Sequence, residues 1–181
     1  MTHFNPLQFI RFWLAVFMAG LVLSGVTAFP LRTEINWLDS LVHSGPLQAV
    51  VASAGLTGWI DQVAVALNAT GASYPFLAYG TDWLGFAHLA IAAAFIGPFV
   101  DPVRNKWVIA FGLITCAGVI PLALIAGQIR GIPLVWRLID CGFGVFGSIP
   151  LLLCRRSIQM LEHLYIPVDL ATGKPDMMSK P

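Results

Sequence analysis

The chain has 181 residues, 57% of them hydrophobic and only 10% charged, with a mean hydropathy of +0.79. That composition lies far outside the range of soluble globular domains and makes the bilayer the main solvent. The net charge is +1, and no basic run is longer than the pair Arg155 and Arg156, which excludes nucleic acid as a partner. At about twenty residues per crossing, four or five spans use most of the length and leave one compact bundle.

In chain order, residues 1–11 form a short polar tail, and Phe12 to Phe29 is an uncharged run closed by Pro30. The first span is therefore expected over about 10–29. Val26, Thr27 and Ala28 resemble the small residues before a signal-peptide cleavage site, but the apolar run is longer than a typical signal core. Residues 31–78 scatter Glu34, Asp39, His43 and Asp61 among apolar positions, with breaks expected at Gly45-Pro46 and Thr70-Gly71. Two short helices lying on the bundle are expected there. The window Leu47 to Leu67 carries only Asp61 as a charge, which makes it an alternative fifth span, although its many small residues weaken its hydrophobicity.

Trp83 to Val100 is uncharged and defines a span over about 80–100, with Asp82 before it and His88 inside. Asp101 to Lys106 is a tight polar turn whose two bases mark a cytoplasmic loop. Trp107 to Gly127 gives the third span, with a kink expected at Pro121. The fourth covers 132–154 and is stopped by Arg155 and Arg156, after which Ser157 to Tyr165 can continue as an amphipathic helix and Pro167 begins an irregular tail. Seven of the ten bases fall on the cytoplasmic side with either four or five spans. The expected fold is thus an all-α integral membrane bundle of four transmembrane helices, with a short-helix extracytoplasmic segment over 31–78 and a cytoplasmic tail over 155–181.

Ionisable residues inside the spans are the candidate site, because they are costly to bury without partners. At 1.5 Å per residue, His88 lies ~9 Å beyond Asp82 and Asp140 ~12 Å beyond Ile132, so they share a depth in the outer half. Arg137 and Asp140 are three apart and can pair on one helix face, while Gly144 and Ser148 extend that face for close packing. Around His88, Gly85 and Ala92 supply a second small-residue stripe. If the helices meet, His88 is the candidate base and Asp140 the group that orients it. Arg137 is then the anion clamp, with Asp82 as a further substrate-binding residue. The simpler expectation, and the preferred one, is that Arg137 and Asp140 neutralise each other, His88 caps the network, and the set fastens the helices.

Cys116, Cys141 and Cys154 lie in apolar segments without zinc-binding spacing and read as packing residues, although a Cys116–Cys141 disulfide is geometrically possible. No metal motif, nucleotide-binding glycine loop, HExxH or GxSxG is present. A haem would need a second axial ligand, and His3, His43 and His163 all lie outside the four expected spans.

Over residues 79–150, Asp82 followed by His88 at the start of one span, with Arg137, Asp140, Gly144 and Gly147 in the last, resembles the VanZ-like family of small bacterial membrane proteins. The resemblance implies about four spans and a cell-envelope role, sometimes linked to glycopeptide resistance.

The leading expectation is a multi-pass bacterial inner-membrane protein with a cytoplasmic C-terminus, acting as a structural or complex-associated component. Its partners are the lipid bilayer and other membrane proteins. An enzyme acting on a lipid-linked or phosphorylated substrate is the alternative. A haem- or quinone-associated respiratory subunit is the third.

Overall fold

A computed structural model describes residues 5–45 and 48–172, with side chains through 162. Its secondary structure is helical throughout, with no strand among the described residues. Four helical segments are long and apolar enough to cross a membrane: Pro6–Thr27, Pro75–Val100, Lys106–Ile129 and Leu134–Glu162. The chain is accordingly a multi-pass α-helical membrane protein.

Helix α1 (Pro6–Thr27) starts where the Asn5 side chain accepts the Leu7 N–H at 3.1 Å, with Pro6 just inside the helix, so the first orphan donors are satisfied locally. The second span begins with a 3₁₀ turn (Pro75–Ala78) and continues as α5 (Tyr79–Ala94) and α6 (Ile96–Val100), separated at Phe95. Sequence reading expects this span to be unbroken. Pro98 has no N–H to give the Ala94 carbonyl, and the Phe95 N–H is shared between the carbonyls of Ile91 and Ala92. Helix α7 (Lys106–Pro121) passes into a wider π-helical turn (Leu122–Ala126) directly after Pro121, where the expected kink belongs, before the short α8 (Gly127–Ile129).

The last helix, α9 (Leu134–Thr172), runs past both Arg155 and Pro167. The helical continuation expected over Ser157 to Tyr165 is present, because residues 155–165 contain strong helix formers and no glycine, and the helix runs on through Pro167 to Thr172, where an irregular tail is expected. Residues 173–181 of the expected tail lie outside the described residues.

Between the first two spans lie α2 (Leu31–Ser44), α3 (Gln48–Ser53) and α4 (Thr57–Ser73), three helices where two are expected. Pro46 of the expected Gly45-Pro46 break falls outside the described residues. The expected Thr70-Gly71 break is absent, since α4 runs through it to Ser73. No single helix crosses Leu47 to Leu67, because Gly55 at φ +68° turns the chain between α3 and α4.

The bundle is assembled pairwise: α5 packs on α1, α1 on α9, and α9 on α7. Ile10, Leu14, Phe95, Ile109, Leu151 and Cys154 form its buried core. Most of its outer surface is apolar and unburied, with Ile114, Phe143 and Phe146 each about 70% exposed, as lipid-facing side chains should be. At one end, Arg11 reaches the carbonyls of Phe99 and Val100, and Lys106 pairs with Glu162 at 2.7 Å. This basic end also carries Arg104, Arg155 and Arg156.

At the other end, α2 and α4 form an antiparallel hairpin with its own core of Ile35, Val42, Leu56, Ile60 and Ala64. Trp136 of α9 packs against that core.

Candidate functional site

Of the four residues expected to cooperate, His88 and Arg137 occupy different seams. His88 lies on α5 beside Gly25 of α1, not beside Asp140. A Cβ on Gly25 would stand 2.9 Å from the Gly85 carbonyl oxygen and 3.1 Å from the His88 Cβ, so the α1 and α5 backbones meet at these glycines. The small-residue stripe around His88 is thereby committed to α1, and α5 has no substantial contact with α9. The His88 ring donates from Nδ1 to the Leu84 carbonyl at 2.8 Å.

Arg137 also has a different partner from the expected one. Its stem lies over Gly127, where a Cβ would come within 2.6 Å, and Nη1 donates to the Leu124 carbonyl at 3.3 Å. The guanidinium thus adds a donor to a carbonyl of the π-helical turn after Pro121, which the Gly127 N–H also reaches. No ion pair joins Arg137 to Asp140 among the described residues. Asp140 and Asp82 are half-buried on α9 and α5. The expected hydrogen-bonded cluster of His88, Asp140, Arg137 and Asp82 is not formed.

The polar side chains that do converge belong to the hairpin. On α2, Arg32, Asn36, Asp39 and His43 recur at intervals of three or four, which places them along one helical stripe. On α4, Asp61, Asn68 and Gly71 run alongside in the opposite direction. Asn68 Nδ2 donates to Asn36 Oδ1 at 2.6 Å and to the Ala64 carbonyl at 2.9 Å. Arg32 Nη2 reaches Asn68 Oδ1 at 3.4 Å. A Cβ on Gly71 would meet Arg32 Cδ at 2.7 Å and Nη1 at 2.9 Å, so the guanidinium lies directly on the α4 backbone.

Further along the seam, His43 Nδ1 donates to the Asp39 carbonyl at 2.9 Å, and Nε2 stands 3.5 Å from Asp61 Oδ1. That Asp61 oxygen is shielded from solvent and, among the described residues, has no hydrogen-bond partner. The carbonyl bond is the largest influence on His43 and raises its pKa above 6.5; lost hydration lowers it, and the Asp61 and Asp39 carboxylates raise it further. Asp39, His43 and Asp61 offer one ligand atom each, all within 4.8 Å of one another. One imidazole and two carboxylates suit zinc with an open fourth position. Without a cation, a protonated His43 between two carboxylates satisfies the same geometry.

Sequence reading notes these hairpin charges without grouping them. The signal was their helical spacing on α2, which becomes informative only once α4 is known to lie against that face. A cavity of about 450 Å³ lies between the hairpin and the ends of the first two spans, with Arg32 in its wall. No protein-family model, curated protein or solved structure matches this chain.

Proposed function

We propose that this protein is a bacterial inner-membrane component of the cell envelope, VanZ-like in character, that works as a structural or complex-associated bundle. In this reading the α2–α4 hairpin is extracytoplasmic, and the basic end, carrying Arg104, Lys106, Arg155 and Arg156, is cytoplasmic. The carrying observation is how the intramembrane polar groups are used. His88 bonds the Leu84 carbonyl on its own helix, and Arg137 bonds the Leu124 carbonyl across a tight seam, so both support backbone geometry.

The test is complementation of a deletion strain with His88→Gln and Asp140→Asn, with protein abundance measured in parallel. Both variants are expected to restore the cellular phenotype to at least half of the wild-type level. Loss of activity at normal abundance would overturn the structural role in favour of chemistry. A membrane-impermeant maleimide is expected to label Thr33→Cys from outside intact cells and to leave Arg104→Cys unlabelled; the reverse pattern would invert the orientation.

The catalytic alternative, action on a lipid-linked or phosphorylated substrate, draws support from one detail. Arg137 Nε is shielded from solvent and, among the described residues, has no hydrogen-bond partner, leaving a donor that an anionic group would satisfy.

A further inference from the structure

The cavity at the base of the hairpin combines one cation with apolar walls, and its position sets its chemistry. It is bounded by Phe29 at the end of the first span, Arg32 and Thr33 on α2, Thr70 on α4, and Leu77 at the start of the second span. The first span ends at Thr27 and the second begins at Pro75, so the cavity lies where two helices leave the hydrocarbon. Exposed aromatic side chains, Tyr74, Phe76, Tyr79 and Trp83, cluster at that level, as at a membrane–water interface.

Arg32 carries a charge that no carboxylate balances: among the described residues it has no ion pair, and its one side-chain hydrogen bond is a long contact to the neutral Asn68 oxygen. Gly71 lets the guanidinium lie flat on α4, and Asn68, held by Asn36 and the Ala64 carbonyl, supports it from the side. A planar fork laid along α4 in this way, with its outer edge exposed, presents several donors to a tetrahedral oxyanion.

We propose that this cavity binds the headgroup of a phosphate-bearing anionic lipid. The phosphate sits on Arg32, with the Thr33 and Thr70 hydroxyls as further donors. The glycerol and first methylenes lie against Phe29 and Leu77, and the acyl chains leave into the bilayer. The site goes beyond the envelope role proposed above and rests only on the four spans, whose placement the maleimide experiment tests separately.

The test uses the full chain purified in dodecyl maltoside micelles and titrated calorimetrically with dioctanoyl phosphatidic acid, dioctanoyl phosphatidylcholine and inorganic phosphate. Phosphatidic acid is expected to bind at least ten times more tightly than either of the others. Arg32→Gln should weaken that binding at least tenfold, whereas Arg32→Lys, which keeps the charge and loses the fork, should weaken it less. Leu77→Trp, at an exposed position on the apolar wall, should weaken phosphatidic acid and leave inorganic phosphate unchanged. Arg130→Gln, on a different loop, should leave all three unchanged. Equal binding of phosphatidic acid by Arg32→Gln and wild type would overturn the proposal, as would equal binding of phosphatidylcholine. Inorganic phosphate binding as tightly as phosphatidic acid, unaffected by Leu77→Trp, would make this a free-anion site and overturn the lipid assignment.

Discussion

The bundle and the hairpin are both helical, yet they cohere by different physics. In the bundle, helices meet through glycines, as at Gly25 and Gly85 or where Gly144 lies on the Cys116 carbonyl, and many large apolar side chains point outward around a narrow buried core. Lipid removes most of the hydrophobic drive between such helices, so close backbone approach and dispersion must hold them. The hairpin is built the other way: Ile35, Val42, Ile60 and Ala64 face inward, and Arg32, Asn36, Asp39 and His43 line a polar edge. Its core is the ordinary hydrophobic kind. Inside the spans, His88 and Arg137 therefore end on backbone carbonyls, whereas in the hairpin Asn36 and Asn68, and His43 and Asp61, find one another across the seam and leave a cationic cavity at the junction.

The sharpest way to break this contrast is to add bulk where the bundle depends on its absence. Gly85→Leu places a Cβ 2.7 Å from the Gly25 carbonyl oxygen and 2.8 Å from the Phe29 ring, so α1 and α5 must separate. A loss of about 3 kcal/mol is expected, read as a lower midpoint in detergent-induced unfolding. In the hairpin the same principle runs in reverse. Ile60→Ala removes bulk from a small core and should cost about 2 kcal/mol. Hydrogen exchange should then accelerate in α2 and α4 and stay unchanged in α7; equal acceleration throughout would show that hairpin and bundle unfold as one unit.

The smallest expected effect is a pH dependence confined to the hairpin. Because the His43 pKa is raised on folding, chiefly by the Asp39 carbonyl, its contribution is fully present below about pH 6.5 and is lost as pH rises through the folded pKa. Exchange of α2 and α4 amides, corrected for intrinsic rates, should be faster at about pH 8 than at about pH 6 in the wild type. In His43→Gln the difference should vanish, while the bundle shows none in either protein.

Much of the fold was legible from residue order because a bilayer imposes a length and a polarity on any helix that crosses it. Long uncharged runs between polar turns therefore marked four spans, and Pro121 marked the place where α7 widens into a π-helical turn. Local chemistry also gave the scattered charges of residues 31–78, but their grouping depended on a register between α2 and α4 that no local rule supplies.

The candidate site shows where such reading stops. His88 and Asp140 share an expected depth, and depth follows from counting residues along a helix. Which helix faces which follows from packing. Gly25 and Gly85 draw α5 onto α1, Gly127 seats Arg137 beside the Leu124 carbonyl, and α9 is shared between α1 and α7. Sequence by itself determined where the long apolar runs lie and where along them the charges fall, because both are set by one-dimensional patterns of solvation. Only the tertiary structure decided the partners of those charges, because azimuth and neighbour order depend on the contacts that fit.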